Sequence, residues 1–257
     1  MDYIIVGIVA LLGSGLTFFS GFGLGTLLMP VFALFFPIDI AIALTAIVHL
    51  LNNLFKLTLV GKKANIKTVL RFGLPAILFA FLGAYTLGKL TNLEPVFTYQ
   101  FFDKSYQITV IKICISVLLI FFSLFDLIPK LKRLEFDTKY LPFGGALSGF
   151  FGGMSGHQGA LRTAFLIRAQ LSKEAFIATG VVIACFIDVS RIAVYAKDIL
   201  ELGNQLNYTM LGLATAMAFI GAYIGNKFLK KITINTIQIV VGVLLIVFAL
   251  LLGIGIL

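Results

Sequence analysis

Long apolar runs follow one another along nearly the whole chain, separated by short polar segments. A helix needs about 20 apolar residues to cross a bilayer. Six runs reach that length: 38–60, 69–90, 108–128, 172–196, 208–228 and 233–256. Two further apolar stretches, 3–36 and 141–170, are interrupted by clusters of glycine. The pattern predicts an all-α membrane protein without a separate soluble domain.

The second half of the chain repeats the first. A shift of 134 positions places Gly15 on Gly149, Gly25 on Gly159 and Thr45 on Thr179. Farther on, GAYTLGK at 83–89 matches GAYIGNK at 221–227. Each half therefore consists of one glycine-broken stretch followed by three apolar runs, as expected of an internal repeat.

Composition agrees with a membrane protein. Of 257 residues, 60% are hydrophobic and 12% are charged, and the mean hydropathy is +1.07. The formal charge of +9 does not indicate a nucleic-acid partner, because the basic residues lie in short loops between the runs. Cys114 and Cys185 fall inside apolar runs, so the sequence predicts neither a disulfide framework nor a metal site. We expect no metal and no cofactor.

The loop charges predict an orientation. Basic residues accumulate in short cytoplasmic loops of membrane proteins. If each glycine-broken stretch is a hairpin that returns to its own side, thirteen loop lysines and arginines lie inside and three lie outside. If each stretch crosses the membrane completely, nine of these residues lie inside and seven lie outside. The hairpin arrangement is favoured, with both termini outside the cytoplasmic (inner) membrane.

Three crossings per half would turn the second half upside down relative to the first. We therefore predict two inverted repeats, residues 1–128 and 141–257, joined by a cytoplasmic linker at 129–140. Each repeat would be a glycine-broken helical hairpin plus three transmembrane helices. Inverted repeats with broken helices are a transporter architecture whose substrate binds near the middle of the membrane.

The glycine breaks are candidates for an anion site. Exposed backbone groups are tolerated at membrane depth only where protein or a water-filled cavity covers them. A short helix that begins at each break would direct its free N–H groups at such a cavity. In the first half this assigns Gly23 and Gly25 to the site. Glycines that merely allow tight helix packing are the alternative.

The second break carries polar residues that an apolar segment rarely accepts. Arg162 would bind the charge of the anion, since a guanidinium pairs well with oxyanions and arginine at membrane depth is costly. The residues that would orient the ligand lie in the same turn: Ser155, Gly156, His157, Gln158 and Gly159. A structural arginine, held by carbonyls or reaching the interface, is the alternative for Arg162.

A polar stripe marks the run 38–60. Thr45, His49, Asn52 and Lys56 share one helical face and would line the route of the substrate, although Lys56 near the helix end could simply extend to the interface. Of this stripe, the second half keeps only Thr179.

Asp188 and Arg191 form a second polar group in the other half. They are spaced to make an ion pair within one helix. We interpret the pair as structural first; Asp188 and His49 are also the candidates for proton coupling.

These residues resemble the TauE/SafE sulfite exporter family of membrane transporters. The resemblance covers nearly the whole chain and rests on the glycine-rich start of each half, Met29-Pro30, and the Ala-x-x-x-Thr pattern at 41–45 and 175–179. It implies secondary transport of a small sulfur-containing anion: sulfite, thiosulfate or an organosulfonate such as sulfoacetate. It implies a small anion and the lipid bilayer as partners; a homodimer is left open.

Two other functions stay open at this stage. An anion channel could be built on the same architecture. The segment GMSG at 153–156 also matches the G-x-S-G of rhomboid-type intramembrane proteases, which would make Ser155 a nucleophile. A nucleophilic serine needs a base within hydrogen-bond reach, and no histidine follows His157 in the chain. We therefore predict a protein that is not an enzyme.

Overall fold

The chain folds into long helices arranged in two series of the same order. A computed structural model describes residues 2–18, 23–102, 104–203, 207–228 and 234–257. The first series is α1 (Asp2–Leu16), α2 (Leu24–Ala33), α3 (Ile38–Val60), α4 (Ile66–Thr91) and α5 (Val110–Leu127). A short helix α6 (Pro129–Lys132) follows. The second series is α7 (Leu141–Ser155), α8 (Gly159–Leu166), α9 (Lys173–Leu202), α10 (Tyr208–Phe228) and α11 (Ile234–Gly253).

Four described segments are long and apolar enough to cross a membrane, and they coincide with α3, α4, α9 and α10. The prediction of an all-α, multi-pass membrane protein is confirmed. The helices begin where the sequence offers side-chain caps. Asn65, Thr109 and Ser172 accept the backbone N–H three residues ahead, at the starts of α4, α5 and α9, which satisfies an N–H that the helix leaves open.

The two glycine-broken stretches are helical hairpins, as predicted. In the second, Gly152 of α7 faces Gln158, and Gly144, two turns earlier, faces the ring of Phe165. The chain therefore returns along α7 after the turn. Gly156 has φ +78, a left-handed conformation that glycine adopts without steric cost. In the first, Gly13 of α1 faces Leu24 and Leu27 of α2. The tip of this hairpin, at 19–22, is outside the described residues.

Glycines bring helices of the two series into backbone contact. Gly145, Gly149 and Gly153 place one face of α7 against the carbonyl groups of Phe72, Ala76 and Ala80 in α4. Gly221 and Gly225 of α10 face the carbonyls of Leu11 and Gly15 in α1. Small residues allow such approaches, and helix association in lipid depends on them because lipid removes the hydrophobic driving force.

Two further contacts join corresponding helices. α3 packs against α9, and α5 packs against α11. The core between α5, α11 and their neighbours is apolar, with Ile115, Leu119, Leu245 and Leu252 buried.

A β-hairpin, which the sequence did not predict, lies between α4 and α5. Strands β1 (Phe97–Phe101) and β2 (Lys104–Ile108) pair antiparallel, with Tyr99 opposite Tyr106. The Tyr99 hydroxyl donates to the carbonyl of Ile254 at 2.7 Å. The hairpin thereby contacts the end of α11.

Candidate anion site between the two halves

A buried cavity lies where the hairpins meet α3 and α9. Its volume is about 40 Å³, several times the roughly 10–15 Å³ that holds one water. We call it the basic cavity. Its polar lining residues are Thr17, His49, Asn53, Lys56, Arg162 and Thr163. The rest of its wall comes from Phe18, Gly23, Leu166, Phe176, Ile177, Gly180, Val181 and Ala184.

Two cationic side chains reach this cavity from opposite halves. Arg162 comes from α8; its guanidinium lies over Gly180, where an added Cβ would sit 3.3 Å from Nε. Lys56 comes from α3 and is 5% exposed, with its Nζ 5.4 Å from the centre of the Phe18 ring. No carboxylate is among the described lining residues. The cavity is therefore electropositive.

Lys56 lies inside the protein and not at the interface. The sequence left both positions open, because the polar stripe places Lys56 on the route of the substrate while its place near the helix end would let its ammonium group reach the interface. All four residues of the stripe, Thr45, His49, Asn52 and Lys56, are buried in the structure.

Asp188 organises a buried polar network beside the cavity. Its Oδ2 lies 2.7 Å from Nδ1 of His49 and accepts from Nδ2 of Asn53 at 3.2 Å. Its Oδ1 accepts from Nη2 and Nε of Arg191 at 2.8 and 3.1 Å. Asp188 is 0% and Arg191 1% exposed. The expected ion pair within α9 is present, and it extends to His49 of the other half.

His49 connects the network to the cavity. If Nδ1 carries the proton that is donated to Asp188, Nε2 is the unprotonated ring nitrogen that can accept, and Nδ2 of Asn53 lies 3.4 Å from it. A Cβ on Gly23 would lie 3.3 Å from that Nε2. The imidazole thus stands between the carboxylate and the start of α2.

The polar turn at 155–159 is buried at a different place. The guanidinium of Arg191 lies against Gly156, where an added Cβ would be 2.6 Å from Nη1. Among the described residues, neither Nε2 of His157 nor either amide atom of Gln158 has a hydrogen-bond partner. The structure brings this turn to Arg191 and not to the cavity lining, while Arg162, one turn into α8, reaches the cavity.

The hydroxyl of Ser155 does not meet a histidine. It donates to the carbonyl of Phe151 at 3.1 Å, and Nδ1 of His157 contacts the Ser155 carbonyl at 2.9 Å. Within the described chain, the serine-to-base hydrogen bond of a hydrolase is not formed.

The other predicted site residues surround the cavity at some distance. Gly25 packs against the methyl group of Thr45. Asn52 accepts from the hydroxyl of Ser14 at 3.0 Å. Thr179 accepts from the backbone N–H of Asn65 at 2.9 Å, which ties α9 to the start of α4. Gly159, also buried, begins α8. Of the predicted residues, Gly23, His49 and Arg162 line the cavity.

A second cavity lies at the other end of the α3–α9 contact. Its volume is about 140 Å³, and its lining includes Asp39 and Ala43 of α3 and Tyr195 and Ile199 of α9. Since early residues of α3 meet late residues of α9 here, the two helices run antiparallel. The network around Asp188 lies between the two cavities.

Comparison with known families matches residues 4–252 to the family described as Sulfite exporter TauE/SafE. The match spans both helix series and every residue that lines the basic cavity. No curated protein and no solved structure matched the chain.

Proposed function

Because this chain belongs to the TauE/SafE family of sulfite exporters, we propose that it moves a small sulfur-containing anion across the cytoplasmic membrane and binds it in the basic cavity. One observation carries the proposal: the buried Lys56 and the half-buried Arg162, cations from the two halves, converge on one cavity, and its described lining residues include no acidic side chain. An anion in this cavity would be attracted by both positive charges.

The dimensions and charge of the cavity favour a compact dianion. A volume of about 40 Å³ suits sulfite or thiosulfate better than the longer sulfoacetate. Two cations balance two negative charges, whereas taurine carries its own ammonium group. Sulfite and thiosulfate are therefore our preferred substrates, and Arg162 would form paired hydrogen bonds with their oxygens.

The residues of the glycine turn would act in a second arrangement of the helices. Buried polar atoms normally have partners, and the amide of Gln158 and Nε2 of His157 have none among the described residues. We propose that Ser155, His157 and Gln158 contact the anion when the hairpins shift relative to α3 and α9. Thr45 and Asn52 would line the same route.

We propose alternating access in preference to a channel. The hydrogen-bonded network of His49, Asn53, Asp188 and Arg191 lies between the two cavities along α3 and α9. A continuous pore would require this network to separate. An anion can therefore cross only after the helices rearrange, as in a carrier.

We infer that the two helix series are inverted repeats. The contacts between the halves are reciprocal: α7 packs on α4, and in the same way α1 packs on α10. α3 packs on its counterpart α9, and α5 packs on its counterpart α11. This reciprocal pattern supports a two-fold relation. Together with the loop charges it favours a cytoplasmic position for the Lys56 end of α3. Uptake of the anion from the cytoplasm, and hence export, fits that orientation.

His49 is the preferred coupling residue. Asp188 is held by Arg191 on one oxygen, which stabilises its charged form, whereas the second ring nitrogen of His49 borders the cavity. Protonation of His49 would add a positive charge next to a bound anion. Coupled movement of one proton with the anion follows from this arrangement.

Binding and flux measurements test the proposal. Purified protein should be stabilised thermally by sulfite or thiosulfate, because a ligand that binds only the folded state raises its stability. The Arg162→Gln and Lys56→Gln variants should each bind about 10- to 100-fold more weakly, the range for a lost charge-assisted hydrogen bond. Arg71→Gln and Lys67→Gln, at exposed positions, are the matched controls.

Unchanged affinity in both cavity variants would exclude the basic cavity as the binding site. In proteoliposomes, sulfite flux at the slow rate of a carrier supports alternating access, and flux near free diffusion contradicts it. His49→Gln should uncouple sulfite movement from an imposed pH gradient while binding is retained.

A further inference from the structure

An aromatic groove lies on the opposite side of α8 from the basic cavity. Its volume is about 600 Å³, and we call it the aromatic groove. Its lining comes from α5, α7, α8 and the linker before α7, with Phe125, Phe136, Tyr140, Phe143, Leu161 and Phe165 as its principal residues. Phe136 and Phe165 stack with their ring centres 4.3 Å apart and form the floor.

The groove is open to the surroundings of the protein. Phe143 is 59% and Tyr140 is 47% exposed, so aromatic surface stands at its mouth without protein cover in the described chain. Phe165, by contrast, is buried and rests on Gly144. A deep apolar floor with an exposed aromatic mouth is typical of a site for an apolar chain.

Basic side chains lie in the chain segment between the lining residues Phe125 and Tyr140. Lys139 holds its Nζ 5.0 Å from the centre of the Tyr140 ring, and the exposed Lys130 and Arg133 lie in the segment between α5 and α7. Of the nearby carboxylates, Glu135 is paired with Arg168 at 3.1 Å, and Asp137 accepts the backbone N–H of Lys139. The position of Tyr140 at the start of α7 is that of an aromatic residue at the membrane interface.

An anionic phospholipid fits this combination. Its acyl chain requires an apolar cleft that opens toward the bilayer, and its phosphate requires cations at the level of the headgroups. Basic residues directly outside a membrane helix attract anionic lipids, and basic pockets between helices bind their headgroups. A zwitterionic lipid could fill the groove but would gain little from Lys139.

We propose that the aromatic groove binds one acyl chain of an anionic phospholipid, with the phosphate held by Lys139, Lys130 and Arg133. The lipid would contact Leu161 and Phe165 of α8, the helix whose other side presents Arg162 to the basic cavity. Occupation of the groove therefore holds α8 in place behind the anion site. Binding of the lipid is independent of the proposed transport; only its effect on flux rests on that proposal.

The absence of tryptophan from the sequence makes a site-specific test available. The Phe143→Trp variant places one fluorophore at the mouth, and phosphatidylglycerol with brominated chains quenches tryptophan on contact. In nanodiscs of unbrominated phosphatidylcholine, we expect quenching to saturate at a low mole fraction of brominated phosphatidylglycerol. Brominated phosphatidylcholine should require several-fold more. Phe81→Trp, an exposed aromatic position on α4, is the control for ordinary boundary lipid.

Charge variants identify the headgroup contact. In the Phe143→Trp background, Lys139→Gln should lower the preference for phosphatidylglycerol about fivefold, the equivalent of about 1 kcal/mol per basic residue near an anionic surface. Lys89→Gln is the matched control. The Nζ of Lys89 lies 5.3 Å from the centre of the Tyr85 ring, as the Nζ of Lys139 lies over Tyr140, but Lys89 does not line the groove. Thermal unfolding of each variant checks that it is folded.

Equal quenching by both lipids at position 143, or a preference that survives the combined Lys130→Gln, Arg133→Gln and Lys139→Gln changes, would overturn the proposal. Equal quenching at positions 143 and 81 would show boundary lipid only and would overturn it as well. None of these measurements requires sulfite, so the outcome is separate from that of the transport assay.

Discussion

At the scale of single residues, Asp188 holds the two halves of the protein together through charge. It accepts hydrogen bonds from Arg191 in its own helix and from Asn53 of α3, and it contacts His49. Removal of one member of a buried pair leaves the other charge without compensation, which costs about 3–5 kcal/mol. The pair itself need not stabilise the fold relative to apolar residues.

We therefore predict that Asp188→Ala lowers the free energy of unfolding by about 3–5 kcal/mol, measured in detergent micelles with increasing dodecyl sulfate. The double variant Asp188→Ala, Arg191→Met should lose distinctly less, because no unpaired guanidinium stays buried. A double variant as unstable as the single one would contradict this account of the network.

Gly180 offers a way to displace the Arg162 guanidinium while the charge stays. A methyl group there would lie 3.3 Å from Nε of Arg162, so the guanidinium must shift by a few tenths of an ångström. We predict that Gly180→Ala weakens thiosulfate binding about tenfold while stability changes by less than about 1 kcal/mol. Isothermal titration measures the first quantity and thermal unfolding the second.

Gly212→Ala is the control for this change. Gly212 is also a glycine within a membrane helix, and no heavy atom of the described residues lies within 4 Å of its added Cβ. Both variants gain the same helix propensity. If Gly180→Ala bound thiosulfate as tightly as Gly212→Ala, the geometry assigned to Arg162 would be wrong.

At the scale of helices, glycine faces determine how close the two series approach. The α4–α7 contact brings backbone against backbone at Gly145, Gly149 and Gly153. The carbonyl of Ala76 cannot move out of the way of a new methyl group as a flexible side chain would.

Gly149→Ala should therefore separate α4 from α7 and destabilise the protein by about 1–3 kcal/mol, the usual cost of overpacking. Gly88 lies in α4, and no heavy atom in the part of the chain that the structure describes comes within 4 Å of its added Cβ. Gly88→Ala should therefore be neutral or slightly stabilising. The free energies of unfolding of the two variants are measured in micelles with increasing dodecyl sulfate. Equal stability of the two variants would mean that the helices tolerate a wider spacing.

The sequence predicted the helices better than their contacts. Hydrophobic runs locate α3, α4, α9 and α10 because lipid demands long apolar helices, and the glycine clusters located both hairpins. The strands at 97–108 were missed, since an isolated two-stranded hairpin depends on its docking, here of Tyr99 on the end of α11.

In the candidate site, too, single residues could be predicted from the sequence but their contacts could not. Arg162 could be singled out because an arginine at membrane depth is rare. The contact between His49 and Asp188 joins positions 139 residues apart, which no local periodicity reports. The burial of Lys56 depends likewise on α8 and α9, elements that are remote in sequence. Local chemistry was therefore predictable, whereas the pairing of the two halves required the structure.

At the scale of the whole molecule, the relative orientation of the two repeats determines which side of the membrane each loop faces. Lys62, directly after α3, and Lys197, in the last turns of α9, occupy corresponding places in the two series. If the repeats were parallel, both positions would face the same compartment. If they are inverted, the positions face opposite compartments, because three crossings separate one repeat from the next.

Cysteine labelling in intact cells distinguishes these arrangements. With Cys114 and Cys185 replaced by serine, we predict that Lys89→Cys and Lys197→Cys react with a membrane-impermeant maleimide from outside, whereas Lys62→Cys and Lys139→Cys react only after the membrane is opened. Lys62 lies just before α4 and Lys89 lies in the last turn of α4, which is one of the four apolar spans. That pair therefore checks that α4 crosses the membrane. External labelling of Lys62→Cys together with Lys197→Cys would contradict the inverted arrangement. It would also weaken the assignment of the basic cavity to the cytoplasmic side, since that assignment depends on the same end of α3.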